Sequence, residues 1–132
     1  PPERARQLRA LCRRVFIGPP ATPRIRESAG RAPAELLGVF ERAFTAGLGL
    51  AFHYVDREGR PSARRVEPHG LLVEPPVWYV LAWDLERRAP RMFRMDRISR
   101  PRPLAGVPFR PDLAVVQAAL PEAGRYRALS AS

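Results

Sequence analysis

The sequence predicts a mainly β domain with flanking helices, in which a five-stranded antiparallel sheet closes into a small barrel preceded by an α-helix. Three observations predict this class. At Leu48 the apolar spacing changes from the 3.6-residue period of a helix to the two-residue period of a strand. Turn residues then separate several short apolar segments, and Pro68-His69-Gly70 interrupts the longest of them and is expected to bend it. Closing such bent strands into a barrel hides the sheet edges.

Two helices are predicted before the sheet. The apolar side chains of residues 3 to 15 recur at helical intervals: Leu8, Leu11, Cys12 and Val15. A connector rich in proline and arginine runs to Arg31. A second helix is expected from Pro33, since proline favours the first helical position, to Gly47, where glycine favours the end.

The strands follow in order. They are expected over residues 48 to 54, 62 to 73 and 77 to 83, then through Met95, with a last short strand from Ile98. The third strand, Val77 to Trp83, is apolar on both faces, which predicts that it lies in the core. A final helix is expected over residues 111 to 120.

Length and composition restrict the functional classes. A chain of 132 residues suits one compact domain with appendages. The single cysteine, Cys12, excludes an intramolecular disulfide and a cysteine metal cluster, and is expected to be a small buried side chain. The sequence contains neither a secretory signal nor an apolar run of about 18 residues, which predicts a cytosolic protein. Its start without methionine fits a fragment or removal of the initiator.

The charge is strongly positive. The formal net charge is +10, and all 23 basic residues are arginine. Such a field attracts polyanions, and phosphate contacts supply most of the nonspecific affinity for nucleic acid. The alternative interpretation is a solvated basic surface with no dedicated partner.

The middle of the chain resembles the WYL domain, which occurs mostly in bacterial transcription regulators. The matching features stand in the family's order: Tyr54 at a strand end, a turn at Gly59, Ser62-x-Arg64-x-Val66-x-Pro68, Trp78-Tyr79-Val80, and Arg91-x-Phe93-Arg94-x-Asp96-Arg97-Ile98. The resemblance implies an Sm-like barrel at residues 32 to 104. Residues 1 to 31 would then be a helical linker following a winged helix-turn-helix domain in the full protein, and residues 105 to 132 a C-terminal extension with a short helix.

The resemblance also implies a ligand-binding patch. The residues that match the family's patch are Tyr54, Ser62, Arg64, His69 and Arg94. Ser62 and Arg64 share one face of their strand, and a bulge at Pro68 to Gly70 would return His69 to that face. Guanidinium groups bind phosphate bidentately, hydroxyl groups donate to phosphate or sugar oxygens, and tyrosine offers a ring for base stacking.

Several of these residues have a structural alternative. Arg64 and Arg65 are also typical of a strand edge protected from aggregation. His69 also fits a hydrogen-bonded turn, and Tyr54 fits the core. Trp78 and Trp83 are interpreted as core residues rather than as a stacking platform.

We therefore expect a ligand-sensing regulatory domain that binds single-stranded nucleic acid or a nucleotide-like phosphorylated ligand. Duplex DNA would be bound by a separate domain, and the full regulator is expected to be a homodimer associated with the nucleoid, without membrane, metal or cofactor. The alternative is an oligomerisation module of a transcription factor with no ligand of its own. An enzyme is not expected, because the sequence shows no paired-carboxylate, Cys-His or Ser-His-Asp arrangement.

Overall fold

A computed structural model of the chain describes residues 2 to 28, 34 to 120 and 127 to 128. The helices are α1 (Pro2–Cys12), α2 (Pro23–Ser28), α3 (Ala34–Ala46) and α4 (Leu113–Ala119). The strands are β1 (Val15–Ile17), β2 (Leu48–Val55), β3 (Pro61–Glu74), β4 (Val77–Asp84), β5 (Ala89–Arg94), β6 (Ile98–Pro108) and β7 (Arg127–Ala128), with a 3-10 turn at Met95–Arg97 between β5 and β6. None of the helices described is long and apolar enough to span a membrane.

The five predicted strands form one antiparallel sheet in the order β6-β2-β3-β4-β5. The 3-10 turn redirects the chain after β5, so that β6 pairs with β2. Within the described residues no strand pairing joins β5 to β6, and the sheet is open. The mainly β class is confirmed, but the predicted closure into an Sm-like five-stranded barrel is not.

The long strand β3 connects the two halves of the sheet. Its first half pairs with β2 and its second half with β4. The register with β4 shifts between Pro68 and Gly70, so the predicted bulge is confirmed. Gly70 is needed there, because a Cβ atom would lie 2.6 Å from the carbonyl oxygen of Arg14, which accepts a hydrogen bond from the N–H group of Leu71 at 2.8 Å.

The core has two parts. The larger cluster packs α3 against the sheet and includes Phe40, Phe52 and Phe93. The smaller cluster lies against α4 and includes Leu72 and Tyr79. Alternate side chains of β4 therefore enter different clusters, because this strand is covered on both faces, and this confirms the prediction that it lies in the core.

The N-terminal prediction was wrong in one respect. The helical pattern was extended to Val15, but α1 ends at Cys12 and Val15 begins β1, which pairs in parallel with Leu71–Val73 of β3. The run Val15-Phe16-Ile17 has high β propensity, and the second half of β3 offers it an open edge. A short helix, α2, also occupies part of the predicted connector.

The last strand of the five-stranded sheet, β6, is longer than the short strand that the sequence predicted. Strand β6 runs to Pro108 although it contains several prolines. Among the described strands it pairs with β2 alone, and as an edge strand it tolerates residues that lack an N–H donor. The final helix is confirmed as α4, whose N-cap Asp112 accepts a hydrogen bond from the N–H group of Ala114 at 2.8 Å.

Candidate anion-binding site

Two hairpin turns and the 3-10 turn collect arginine side chains around one open cavity. Alternate turns of an antiparallel meander lie at the same end of the sheet, so the β2–β3 turn meets the β4–β5 turn. The cavity has a volume of about 350 Å³. Its six arginines are Arg57, Arg60, Arg64, Arg87, Arg91 and Arg97. Tyr54, Met92 and Phe93 supply less polar wall.

A second cavity, of about 400 Å³, adjoins the first. The two cavities share Arg57 and Arg97. The second is completed by Arg94 and by three residues of the N-terminal segment: Thr22, Arg24 and Ile25. We refer to the first as the hairpin cavity and to the second, which the N-terminal segment completes, as the arm cavity. Among the described side chains, two acidic residues line the hairpin cavity and none lines the arm cavity.

The two acidic residues that line the hairpin cavity form ion pairs with one of its arginines. Arg60 Nε donates to Asp56 Oδ2 at 3.0 Å, and Arg60 Nη2 lies 3.5 Å from Glu58 Oε2. The backbone N–H group of Arg60 also donates to Asp56, and these bonds lower the pKa of that carboxyl group. In the described part of the chain, Arg57 and Arg97 have no carboxylate within 4.0 Å, so no described acid offsets the charge of their guanidinium groups.

Arg64 is held rigidly at the wall of the hairpin cavity. Its Nε donates to Ser62 Oγ at 3.0 Å, and its Nη1 donates to Asp84 Oδ2 at 3.2 Å. Its guanidinium group also lies 5.6 Å from the centre of the Phe93 ring. These contacts confirm that Ser62 and Arg64 project from the same face. They leave 14% of the Arg64 side chain exposed, so it offers a fixed donor rather than a mobile one.

Asp84 fixes Arg64 from inside the protein. Its side chain is only 1% exposed, and its Oδ1 accepts hydrogen bonds from the N–H groups of Glu86 at 3.0 Å and Arg87 at 3.1 Å. The carboxylate therefore closes the β4–β5 turn and pairs with Arg64 at the same time. Such multiple donation is what a buried carboxylate requires.

Arg94 and Tyr54 lie at the boundary between the cavities and the core. Arg94 forms a bidentate pair with Asp96, with Nε to Oδ1 at 3.1 Å and Nη2 to Oδ2 at 2.7 Å. Its backbone N–H group donates to the hydroxyl of Tyr54 at 3.2 Å. The Tyr54 ring is buried and packs edge-to-face on Phe93 at 5.1 Å. Tyr54 thus lines the cavity but is mainly a core residue.

His69 lies elsewhere. Its Nδ1 accepts the N–H group of Asp112 at 2.9 Å, and its Nε2 lies 3.3 Å from Glu67 Oε1. The first bond requires a neutral ring with the proton on Nε2, which then donates to Glu67. Burial lowers the pKa of His69 below 6.5, although Glu67 and Asp112 act in the opposite direction. The ring also packs on Phe109 at 4.8 Å.

The structure therefore divides the five residues of the predicted patch. Tyr54 and Arg64 line the hairpin cavity, with Ser62 bonded to Arg64, and Arg94 lines the arm cavity. His69 lines neither cavity in the described structure. The bulge turns it towards the C-terminal segment instead.

Several cavity arginines were not among the predicted site residues. They are Arg24, Arg57, Arg60, Arg87, Arg91 and Arg97. A usable signal was present in the sequence, because both hairpin turns contain arginine and alternate hairpin turns of a meander share one end of the sheet. No group of three or more His, Cys, Asp or Glu side chains is placed to hold a metal ion in the part of the chain that the structure describes.

The comparisons with known proteins identify the class. The sequence pattern of the WYL domain matches residues 35–103, which is more than half of the chain, and the chain belongs to this family.

Curated relatives named Protein PafB match part of the chain. The one from Mycobacterium tuberculosis is 33% identical over 69 residues, which cover 52% of this chain and 21% of the relative. The one from Mycobacterium leprae is 32% identical over 90 residues, 64% of this chain and 27% of the relative. The chain thus spans about a fifth to a quarter of the length of these relatives.

A solved structure shares the fold. It is the proteasome accessory factor B/C (PafBC) of Arthrobacter aurescens, with a TM-score of 0.51 and 21% sequence identity. The match covers 71% of this chain and 14% of that one.

Proposed function

We propose that this chain is the ligand-sensing domain of a bacterial transcription regulator and that it binds single-stranded nucleic acid or a nucleotide-like phosphorylated ligand. One observation carries the proposal. Arg57 and Arg97, which form no ion pair with the described residues, stand where two open cavities meet.

The chemistry of the two cavities favours phosphate. Guanidinium groups are always charged and match phosphate oxygens bidentately. Volumes of about 350 and 400 Å³ fall within the range of about 300 to 1,000 Å³ that is typical of ligand sites. The aromatic rings near the cavities are buried, so charge and shape, rather than base stacking, would determine which ligand binds.

The role within a longer protein is also a proposal. WYL membership and the PafB relatives support a regulator in which a separate domain binds duplex DNA. Residues 1 to 31 would link that domain to the WYL domain at residues 32 to 104, followed by an extension over residues 105 to 132. Ligand binding would then shift the arrangement of a homodimer near the nucleoid by its differential affinity for two states.

The competing role, an oligomerisation module, has less support from the surface of the described residues. Within the described residues, only Val55 and Leu113 are large hydrophobic side chains with high exposure, at 42% and 41%. They lie on different elements, β2 and α4, whereas a stable interface is expected to use a contiguous apolar patch.

The proposal is tested by fluorescence anisotropy with a labelled single strand of about eight nucleotides, a length within the range of single-strand binding sites. The titration is repeated with a duplex of the same length, between about 50 and 200 mM salt. We expect tighter binding of the single strand. The double variant Arg57→Ala/Arg97→Ala should reduce the slope of log K against log salt by about 1.4, since each lost phosphate contact removes about 0.7 for single strands.

A matched variant controls for net charge. Arg65 and Arg102 are exposed, and both pair with Ala51 from neighbouring strands, so they lie on one face of the sheet outside both cavities. Arg65→Ala/Arg102→Ala removes the same charge. An equal loss of affinity in the two double variants, or no preference for single strands, would show that binding is a general property of a basic surface.

A further inference from the structure

We propose that the N-terminal segment forms part of the ligand site, so that a phosphodiester chain with at least two phosphates spans both cavities and contacts Arg24 of α2. This inference rests on the proposed function. It adds a minimum length for the ligand, and it names the segment whose amide exchange should change when the ligand binds. We call residues 15 to 25 the N-terminal arm.

The arm is attached to the sheet by its backbone. Strand β1 pairs in parallel with Leu71–Val73. Beyond it, the N–H group of Gly18 donates to the carbonyl of Val73 at 2.8 Å, and that of Ala21 donates to the carbonyl of Pro75 at 3.0 Å. The arm therefore follows β3 to its end, where the β3–β4 turn contains a cis peptide between Pro75 and Pro76.

Side chains then fix the start of α2. Ala21 is 6% exposed and belongs to the smaller core cluster, and Ile25 packs against that cluster. The N–H group of Ile25 lies 3.4 Å from Thr22 Oγ1, which turns the chain into the helix. Burial of Ala21 and Ile25 leaves Arg24, which lies between them in sequence, exposed at the edge of the arm cavity.

The arm cavity depends on Arg24 for one of its available charges. Arg94 already forms a bidentate pair with Asp96. Arg24, Arg57 and Arg97 form no ion pair with any residue that the structure describes, and all three line this cavity. Beside the ion-paired Arg94, the arm cavity thus has two cations from the sheet region and one from the arm.

The shared arginines predict a dependence on ligand length. A single phosphate can bind between Arg57 and Arg97 without reaching the outer ends of the two cavities. A chain with further phosphates can also contact Arg87 at one end and Arg24 at the other. Each added phosphate contact strengthens binding through counterion release. A longer ligand would therefore connect the arm to the hairpin turns, and the amides of α2 would be protected when it binds.

The experiment compares a nucleoside monophosphate with a single strand of about six nucleotides, within the size range of single-strand sites. The variants are Arg24→Ala and, as a control, Arg13→Ala, which removes an exposed arginine near the arm but outside both cavities. For the oligonucleotide, Arg24→Ala should weaken binding about three- to tenfold and reduce the salt slope by about 0.7. Binding of the monophosphate should be unchanged, and Arg13→Ala should have less than a twofold effect on either ligand.

Hydrogen exchange of the α2 amides provides a second measurement on the unmodified chain. The oligonucleotide should slow this exchange, and the monophosphate should not. If the oligonucleotide binds but Arg24→Ala behaves like Arg13→Ala and α2 exchange is unaffected, the inference is overturned and the proposed function is retained. If neither ligand binds, both fail.

Discussion

Replacing Asp84 with alanine tests how the candidate site is held together. The Asp84 carboxylate is 1% exposed, pairs with Arg64 at 3.2 Å and accepts two backbone hydrogen bonds in the β4–β5 turn. The substitution leaves two N–H groups without their acceptor and one guanidinium group without its counterion. We therefore expect a loss of stability rather than a local change only.

The magnitude follows from burial. Breaking a buried ion pair by removing one partner costs about 3 to 5 kcal/mol, but Arg64 keeps 14% of its side chain in contact with water and keeps its bond to Ser62. The two backbone donors lie at a turn and can be partly rehydrated. Together these considerations give a decrease of about 2 to 4 kcal/mol in the free energy of unfolding.

The assay is urea unfolding followed by the fluorescence of Trp78 and Trp83, both of which lie in β4. Asp56→Ala is the matched control, because Asp56 also accepts two backbone hydrogen bonds and pairs with an arginine, Arg60, but at the surface. Its loss should be clearly smaller, since exposed pairs contribute little. If the two substitutions cost the same, burial of the Asp84 carboxylate does not increase its contribution to stability.

Two further predictions concern the second half of β3. Since burial lowers the pKa of His69, the unfolded chain binds a proton more readily than the folded chain. The free energy of unfolding should therefore fall as the pH decreases through 6.5 towards the lowered folded value, and His69→Gln should flatten this part of the curve. Gly70→Ala should cost about 1 to 3 kcal/mol, because its Cβ atom meets the Arg14 carbonyl at 2.6 Å, whereas Gly106→Ala, with no atom within 4 Å, should cost much less in the same unfolding assay.

Local pattern was sufficient to predict much of the sheet. The two-residue period from Leu48 and the apolar run of β4 predicted strands that the structure contains, and proline with glycine at positions 68 and 70 predicted the bulge. Strand β1 was not predictable in this way. Its first residue, Val15, continues the helical apolar pattern of residues 3 to 15, and pairing with the distant edge Leu71–Val73 makes the segment a strand.

The site was predictable in part for a related reason. Ser62 and Arg64 are two positions apart on one strand, so their projection from the same face could be predicted from that strand alone. The hydrogen bond between their side chains confirms it. The orientation of His69 depends on Phe109 and Asp112, which lie far along the chain and are brought to the bulge by tertiary packing. To predict the arginines in the turns, one has to know which turns meet in space, and no single segment of the sequence contains that information.

The most direct test of the central claim is the side-chain NMR spectrum of ¹⁵N-labelled arginine during titration with a single-stranded oligonucleotide, with Nε–H signals assigned by single substitutions. We expect the signals of Arg57 and Arg97 to shift together and saturate at the same ligand concentration, while those of Arg65 and Arg102 remain in place. Equal shifts at all four side chains, or shifts only at Arg65 and Arg102, would contradict the assignment of the joined cavities as the ligand site.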